Sequence, residues 1–72
     1  MEYTIILEPD AEGQGYTVLV PALPGCITQG GSRDEAIERA KEAIAAYIES
    51  LEADGEPIPE DTEPVEVLKV AV

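Results

Sequence analysis

The sequence lacks the residues on which most catalytic and metal sites are built. It contains no histidine and a single cysteine, Cys26, among its 72 residues. One cysteine cannot form an internal disulfide, and without histidine neither a typical zinc site nor a base-activated thiol can be assembled. We therefore expect no catalytic residue, no metal ligand and no cofactor, and we interpret Cys26 as a half-buried structural thiol.

Positive charge is also scarce. Four Lys and Arg residues stand against 16 Asp and Glu residues, which gives a formal net charge of −12. Nucleic acids and anionic membrane surfaces are bound mainly through Lys and Arg, so we expect this chain to bind neither directly. A basic protein partner would meet a complementary potential, and solubility alone is the alternative reason for such a surface.

Long apolar runs are absent, and the N-terminus lacks the basic start of a signal peptide. We therefore expect a cytoplasmic protein. Its 72 residues predict a single domain over 1–72, and a domain of this size buries a lower fraction of its surface than a larger domain does. Because neither a disulfide nor a metal can compensate, self-association into a homodimer or homotetramer is expected.

Alternating apolar residues at 3–8 and 16–20 predict two strands, and the turn residues at 9–14 join them into an antiparallel hairpin. Ile6 and Leu19 are apolar on the side of the hairpin that should otherwise be polar. We predict that Ile6 and Leu19 belong to a subunit interface. The alternative is that they are ordinary scattered apolar residues of the surface.

A third strand and a capped helix follow the hairpin. The third strand is predicted over Cys26–Gln29, and Ser32 with Glu35 fits a capping box at the start of a helix. Apolar residues then recur at three- and four-residue steps, and Gly55 is a natural stop. The pattern predicts a helix from residue 33 to about residue 54.

Residues 65–72 are almost continuously apolar, which is typical of a strand buried on both faces. A helical crossover permits this fourth strand to lie parallel to the first, in the order 3-2-1-4. The predicted fold class is therefore α+β, with two layers in the order βββαβ, a mainly antiparallel sheet and one helix on one face. The uncovered face of such a sheet requires a second subunit.

Acidic residues surround the predicted end of the helix with no base among them. We predict that they form a docking patch for a basic partner, and a solvated loop is the alternative. The seven residues are Glu49, Glu52, Asp54, Glu56, Glu60, Asp61 and Glu63.

The turn at Leu23–Cys26, the strand exit at Gln29–Gly30 and the helix start at Asp34–Ala36 together resemble the HicB family of antitoxins. The similarity covers nearly the whole chain. It implies a partly degraded ribonuclease-H-like βββαβ fold. It also implies a non-catalytic protein that binds and neutralises HicA, a small basic toxin that cleaves RNA. No segment matches the C-terminal DNA-binding domain of many family members, so the chain resembles a short form of the family.

Two other functions compete with this interpretation. One is a stand-alone oligomeric domain with a ligand-binding or regulatory role and no toxin partner. The other is a metal-dependent nuclease, which would need several carboxylates converging on one metal pair. The candidate acids Glu2, Glu8 and Glu66 show no such convergence in the sequence, so the chain is expected not to be an enzyme.

Overall fold

Three antiparallel strands and one helix form two layers in the part of the chain that the structure describes. The computed structural model describes residues 1–61 and 65–72. The sheet has the order β1-β2-β3, and the helix packs mainly on β2 and β3. This arrangement confirms the predicted α+β class with one helix on one face. The elements are β1 (Ile6–Pro9), β2 (Tyr16–Leu19), β3 (Ile27–Gly30) and α1 (Arg33–Ala53).

β1 begins later than the alternating pattern predicts. Ile6 faces Leu19 in the β1–β2 register, and the same register continued backwards would set Thr4 against Pro21. Proline has no N–H to donate to a strand ladder. The ladder therefore ends at Ile6, although apolar alternation starts three residues earlier.

Ser32 and Glu35 cap the start of α1 as predicted, although Glu35 reaches one residue further back than in a standard capping box. The Ser32 hydroxyl accepts a hydrogen bond of 3.1 Å from the Glu35 N–H. The Glu35 carboxylate in turn accepts from the N–H of Gly31, the residue before the cap. Because two otherwise free N–H groups are satisfied by side chains, the helix starts where the sequence predicts.

The end of α1 is fixed by a glycine. Gly55 has a φ of +67° and its N–H donates to the Glu52 carbonyl at 3.1 Å, while the Glu56 N–H donates to the Leu51 carbonyl at 2.9 Å. These two bonds form a Schellman motif, which needs a residue in the left-handed region after the helix. The predicted stop at Gly55 is confirmed.

The core beneath α1 is built from small residues. Ala36 and Ala40 are the buried residues of the helix, and they pack with Val18 of β2. The larger apolar residues of the helix, such as Ile37 and Ile44, are only half-buried. Short alanine side chains let α1 lie close to the sheet, and the bulkier residues are displaced towards its edge.

Gly30 shows how close this approach is. A Cβ atom added at Gly30 would lie 2.5 Å from the backbone nitrogen of Ala36 and 2.7 Å from its Cα. Backbone atoms cannot rotate away as a long side chain can. A glycine is therefore required where β3 passes beneath the first turn of α1.

The structure corrects the prediction of a fourth strand over 65–72. Among the described residues the strands are β1, β2 and β3, and the predicted order 3-2-1-4 reduces to 3-2-1. Val67, Leu68 and Val70 are 87%, 75% and 79% exposed, so the predicted burial on both faces is wrong for the single chain. A continuous apolar pattern indicates that a segment favours burial, but not whether its own chain supplies the covering surface. The ribonuclease-H-like relationship stays a prediction.

Replacing Gly30 tests the close packing of α1 on β3. Gly30→Ala should lower the free energy of unfolding by about 1–3 kcal/mol, because the added methyl group overpacks a backbone contact. Urea denaturation measures the change. Gly13→Ala is the matched control, since a Cβ there meets only the Gly15 nitrogen at 3.9 Å; its effect should stay within about 0.5 kcal/mol. Equal losses in both variants would contradict the proposed steric cause.

Candidate partner-binding site

Five of the seven predicted partner-binding acids are exposed together around the end of α1 and in the segment that follows. We call Glu49, Glu52, Asp54, Glu56 and Glu60 the acidic patch. Asp61 differs from them, because it is half-buried and its carboxylate accepts a hydrogen bond of 2.7 Å from the Thr4 hydroxyl. Glu63 lies outside the described residues.

The acidic patch is electrostatically one-sided. Glu49 and Glu52 are three residues apart on α1 and so lie on the same side of the helix. Asp54 is the C-cap, and the last turn contains no basic residue. Residues 1–61 and 65–72 contain one ion pair, between Lys41 and Glu38 at 3.1 Å. It includes no member of the patch.

The position of the acidic patch on the helix is unfavourable for the isolated chain. The C-terminus of a helix carries a partial negative charge from its unpaired carbonyl groups. Acids in the last turn are repelled by it, whereas Lys or Arg there would be stabilising by about 0.3–1 kcal/mol each. Glu52 and Asp54 therefore raise the energy of the free protein. A cationic partner placed against this end of the helix would remove that repulsion.

A second surface lies on the face of the sheet opposite the helix. Ile6 faces Leu19, and Leu19 faces Ile27. Since Val18 points into the core and neighbouring strand residues point to opposite faces, these three side chains form one apolar row on the outer face, which we call the outer row. Ile6 and Leu19 are half-buried, and Ile27 is 60% exposed.

Sequence reasoning identified Ile6 and Leu19 but missed Ile27. The sequence does contain a hint of its role, because Ile27 follows Cys26 in a predicted strand and must therefore point to the opposite face. Its meaning depends on the strand register, which sets it directly beside Leu19. The role of Ile6 and Leu19 in a subunit interface stays a prediction.

A third feature is an apolar groove beside α1. It has a volume of about 640 Å³ and lies between α1 and the residues that precede β1. Because α1 covers β2 and β3, the β1 side of the sheet is left partly open. We call this feature the apolar groove; its lining includes Tyr3, Ile5, Ile37, Ile44 and Ile48.

Cys26 belongs to a second core cluster and not to a reactive site. It packs with Val20 and Leu23, and it is 6% exposed, more buried than predicted. Burial raises the pKa of the Cys26 thiol, so the nucleophilic thiolate is disfavoured. The Tyr47 hydroxyl donates to the Pro24 carbonyl at 2.8 Å and ties the same turn to α1. This region is structural.

The described acids do not converge on one point. Glu2, Glu8 and Glu66 are all exposed, and in residues 1–61 and 65–72 no group of three or more His, Cys, Asp or Glu side chains is arranged to hold a metal ion. In the same residues, no helix has both the length and the apolar character that crossing a bilayer requires. The surfaces that the structure does offer are an acidic patch, an apolar row and an apolar groove. Contiguous exposed apolar surfaces such as the row and the groove are common at protein interfaces.

Comparison with known proteins agrees with this description. The sequence profile of the HicB-like antitoxins of bacterial toxin–antitoxin systems matches residues 3–71. The chain belongs to the HicB-like antitoxin family. The resemblance inferred from the Leu23–Cys26 turn and the start of α1 is thereby confirmed.

Relatives of this HicB-like protein occur in archaea and bacteria. A UPF0150 protein of Thermoplasma acidophilum is 56% identical over 61 residues, covering 85% of this chain and 87% of the relative. A UPF0150 protein of Synechocystis is 43% identical over 70 residues, covering 97% of this chain and 87% of the relative. Antitoxin HicB 1 of Photorhabdus laumondii is 44% identical over 59 residues, which cover 82% of this chain but 37% of that antitoxin.

Neutralising one acid at the helix end tests the electrostatic cost of the patch. Glu52→Gln should raise the free energy of unfolding by about 0.3–1 kcal/mol at low salt, because it removes a negative charge at the negative end of the helix dipole. Glu42→Gln, an exposed change in the middle of α1, is the control with the same loss of charge. Thermal unfolding of both variants measures the difference. A Glu52 effect no larger than that of Glu42 would argue against the dipole explanation.

Proposed function

We propose that this HicB-like protein is a non-catalytic antitoxin that binds a small basic HicA-type toxin and blocks its RNA-cleaving surface. The observation that carries the proposal is the acidic patch: five exposed acids without a base, in a chain whose antitoxin family is established. Inhibition by covering requires a complementary surface and no reacting group. We place this action in the cytoplasm, where messenger RNA is translated.

The division of roles between charge and apolar contact follows from general binding physics. Charges at the rim of an interface mainly accelerate encounter and set orientation, whereas buried apolar anchors supply most of the affinity. The net charge of −12 attracts a basic toxin from a distance. The acidic patch then orients the toxin at the end of α1, with Glu49 and Glu52 on one side of the helix.

The outer row supports self-association as part of the same function. A sheet covered by one helix exposes its other face, and Ile6, Leu19 and Ile27 line up across it. We propose that a second copy covers these residues, in a homodimer or a homotetramer. An antitoxin with two or more copies could hold more than one toxin.

Direct binding of nucleic acid is not included in the proposed function. The four bases are Arg33, Arg39, Lys41 and Lys69, and Lys41 is already paired with Glu38 at 3.1 Å. A stable complex with DNA or RNA needs several phosphates neutralised at once. The remaining charge of the chain would repel the same phosphates.

Co-expression tests the proposed partner directly. The short reading frame next to the gene for this protein should encode a basic protein that is toxic alone and is retained by the tagged antitoxin when both are expressed. RNA cleavage by the purified toxin should fall at least tenfold when an equal amount of this protein is added. A neighbouring protein that is neither retained nor inhibited would refute the toxin proposal. It would favour the alternative of a stand-alone oligomeric domain with a ligand-binding or regulatory role.

The contribution of the acidic patch can be separated from net charge. Glu49→Gln/Glu52→Gln should slow toxin association several-fold to about tenfold at low salt and flatten its salt dependence, with little change in dissociation. Stopped-flow or surface-based kinetics measures both rates.

The matched control is Glu8→Gln/Glu12→Gln. It removes the same two charges from exposed positions in and after β1, and it should change the association rate by less than about twofold, as expected for charges far from the contact. Equal slowing in both double variants would mean that only the total charge matters and that the patch is not the docking surface.

A further inference from the structure

The segment Val65–Val72, which we call the tail, is exposed although its composition favours burial. Val67, Leu68, Val70 and Val72 are 87%, 75%, 79% and 121% exposed, and Val65 is 39% exposed. A soluble protein rarely leaves so many neighbouring aliphatic side chains in water unless the segment meets a partner. The tail contains one Glu and one Lys, so it is neutral within a strongly acidic chain.

The sheet of the same chain has an open edge at β1, where a further strand could pair. β1 is an edge strand, with β2 on one side and, among the described residues, no strand on the other. An open edge presents unpaired N–H and C=O groups that a further strand can bind. The apolar groove lies on the helix side of this edge, between α1 and the residues before β1.

The two faces of the tail match the two sides of the β1 edge, which are the apolar groove and the outer row. In an extended strand Leu68, Val70 and Val72 project to one side, whereas Val65 and Val67 project to the other. A strand beside β1 would direct the first set into the apolar groove and the second set next to Ile6 of the outer row. Apart from Glu66 on the first face and Lys69 on the second, both faces are apolar, which explains why the tail lacks the alternation of a half-exposed strand.

The lengths also agree. Eight residues in extended form span about 26 Å, and α1, which borders the groove, is about 31 Å long at 21 residues. The tail is thus long enough to follow the whole edge that runs from Tyr3 to Pro9.

Within one chain the tail and the groove are both left open. The segment before the tail is held at the start of the chain, because the Tyr3 hydroxyl donates to the Pro59 carbonyl and the Thr4 hydroxyl donates to the Asp61 carboxylate. Among residues 1–61 and 65–72, the tail makes no strand pair and no side chain fills the groove.

In a dimer, each copy supplies a tail for the groove of the other copy. A two-fold exchange uses the same two surfaces on both copies, so the assembly is complete at two copies and both grooves are filled. The neutral tail is also a segment by which two chains of charge −12 can approach each other with little local repulsion.

We propose that the tail of one copy adds as a strand to the β1 edge of a second copy, with Leu68 and Val70 seated in the partner's apolar groove, and that the exchange is reciprocal. The tail is then the fourth strand of the sheet, supplied by the partner. The exchange does not depend on a toxin, and it is tested on the purified full chain alone.

Light scattering tests whether the tail holds copies together. The chain mass is 7.7 kDa, so the exchanged dimer is expected at twice that mass or a multiple of it. Leu68→Asp/Val70→Asp should at least halve the measured mass, and circular dichroism should show α1 intact because neither residue belongs to the core of the single chain. Ala46→Asp, on an exposed position of α1, adds a charge elsewhere and should leave the mass unchanged.

Two results of this experiment would overturn the proposal. One is a wild-type protein that is monomeric at several hundred micromolar in moderate salt. The other is a tail variant that keeps the wild-type mass while Ile27→Asp halves it, which would assign the association to the outer row alone.

Crosslinking decides whether the strand comes from the same chain or from the partner. One copy carries Val67→Cys and a tag, the other carries Glu8→Cys in β1, and both carry Cys26→Ala. After mixing and re-equilibration, a short bis-maleimide should join the two different chains. The pair Val67→Cys with Ala46→Cys is the control and should give no product. A crosslink that forms only inside a single chain holding both Val67→Cys and Glu8→Cys would show that the tail closes on its own β1.

Discussion

The close approach of α1 to β3 at Gly30 and Ala36 is the contact on which the rest of this small fold depends. The absence of a side chain at Gly30 lets the backbone of the helix lie directly on the strand. With Ala36 and Ala40 as the buried residues of α1, the helix is drawn over β2 and β3. Its larger apolar residues then cannot fit beneath it, and they line the apolar groove on the β1 side. A tightly packed half of the sheet and an open half thus have one cause.

The acidic patch, which we propose as the docking surface for a partner, carries a local cost in stability. The end of α1 is locked by a Schellman motif at Gly55, so the last turn is held in place even though Glu52 and Asp54 lie at the negative end of the helix dipole. A strong backbone stop makes this arrangement tolerable. Surfaces that bind a partner often carry such local cost in the free protein, and membership of the HicB-like antitoxin family gives the patch a natural role.

The three surfaces have different physical characters, which suits different partners. The acidic patch is charged and exposed, which is complementary to the basic toxin that we propose as its partner. The outer row and the apolar groove are apolar, and surfaces of this kind are typical of contacts between copies of one chain. A chain of 72 residues cannot bury all its apolar residues alone. Self-association and antitoxin function are therefore compatible uses of one small scaffold.

The sequence by itself determined every feature that depends on neighbours along the chain. The cap at Ser32, the stop at Gly55, the three strands within one to three residues and the acidic character of the helix end were all predictable, because caps, turns and periodicity act over a few residues. The turn at Leu23–Cys26 was sufficient, with the start of α1, to indicate the family. Only the tertiary structure decided the close contact at Gly30, the alignment of Ile27 with Leu19, and the open edge of β1. These features depend on register and on the distance between layers, which join residues far apart in the chain. The error at 65–72 has the same reason: apolar periodicity shows that a segment favours burial, but only the packing of the whole molecule shows which surface remains open to receive it.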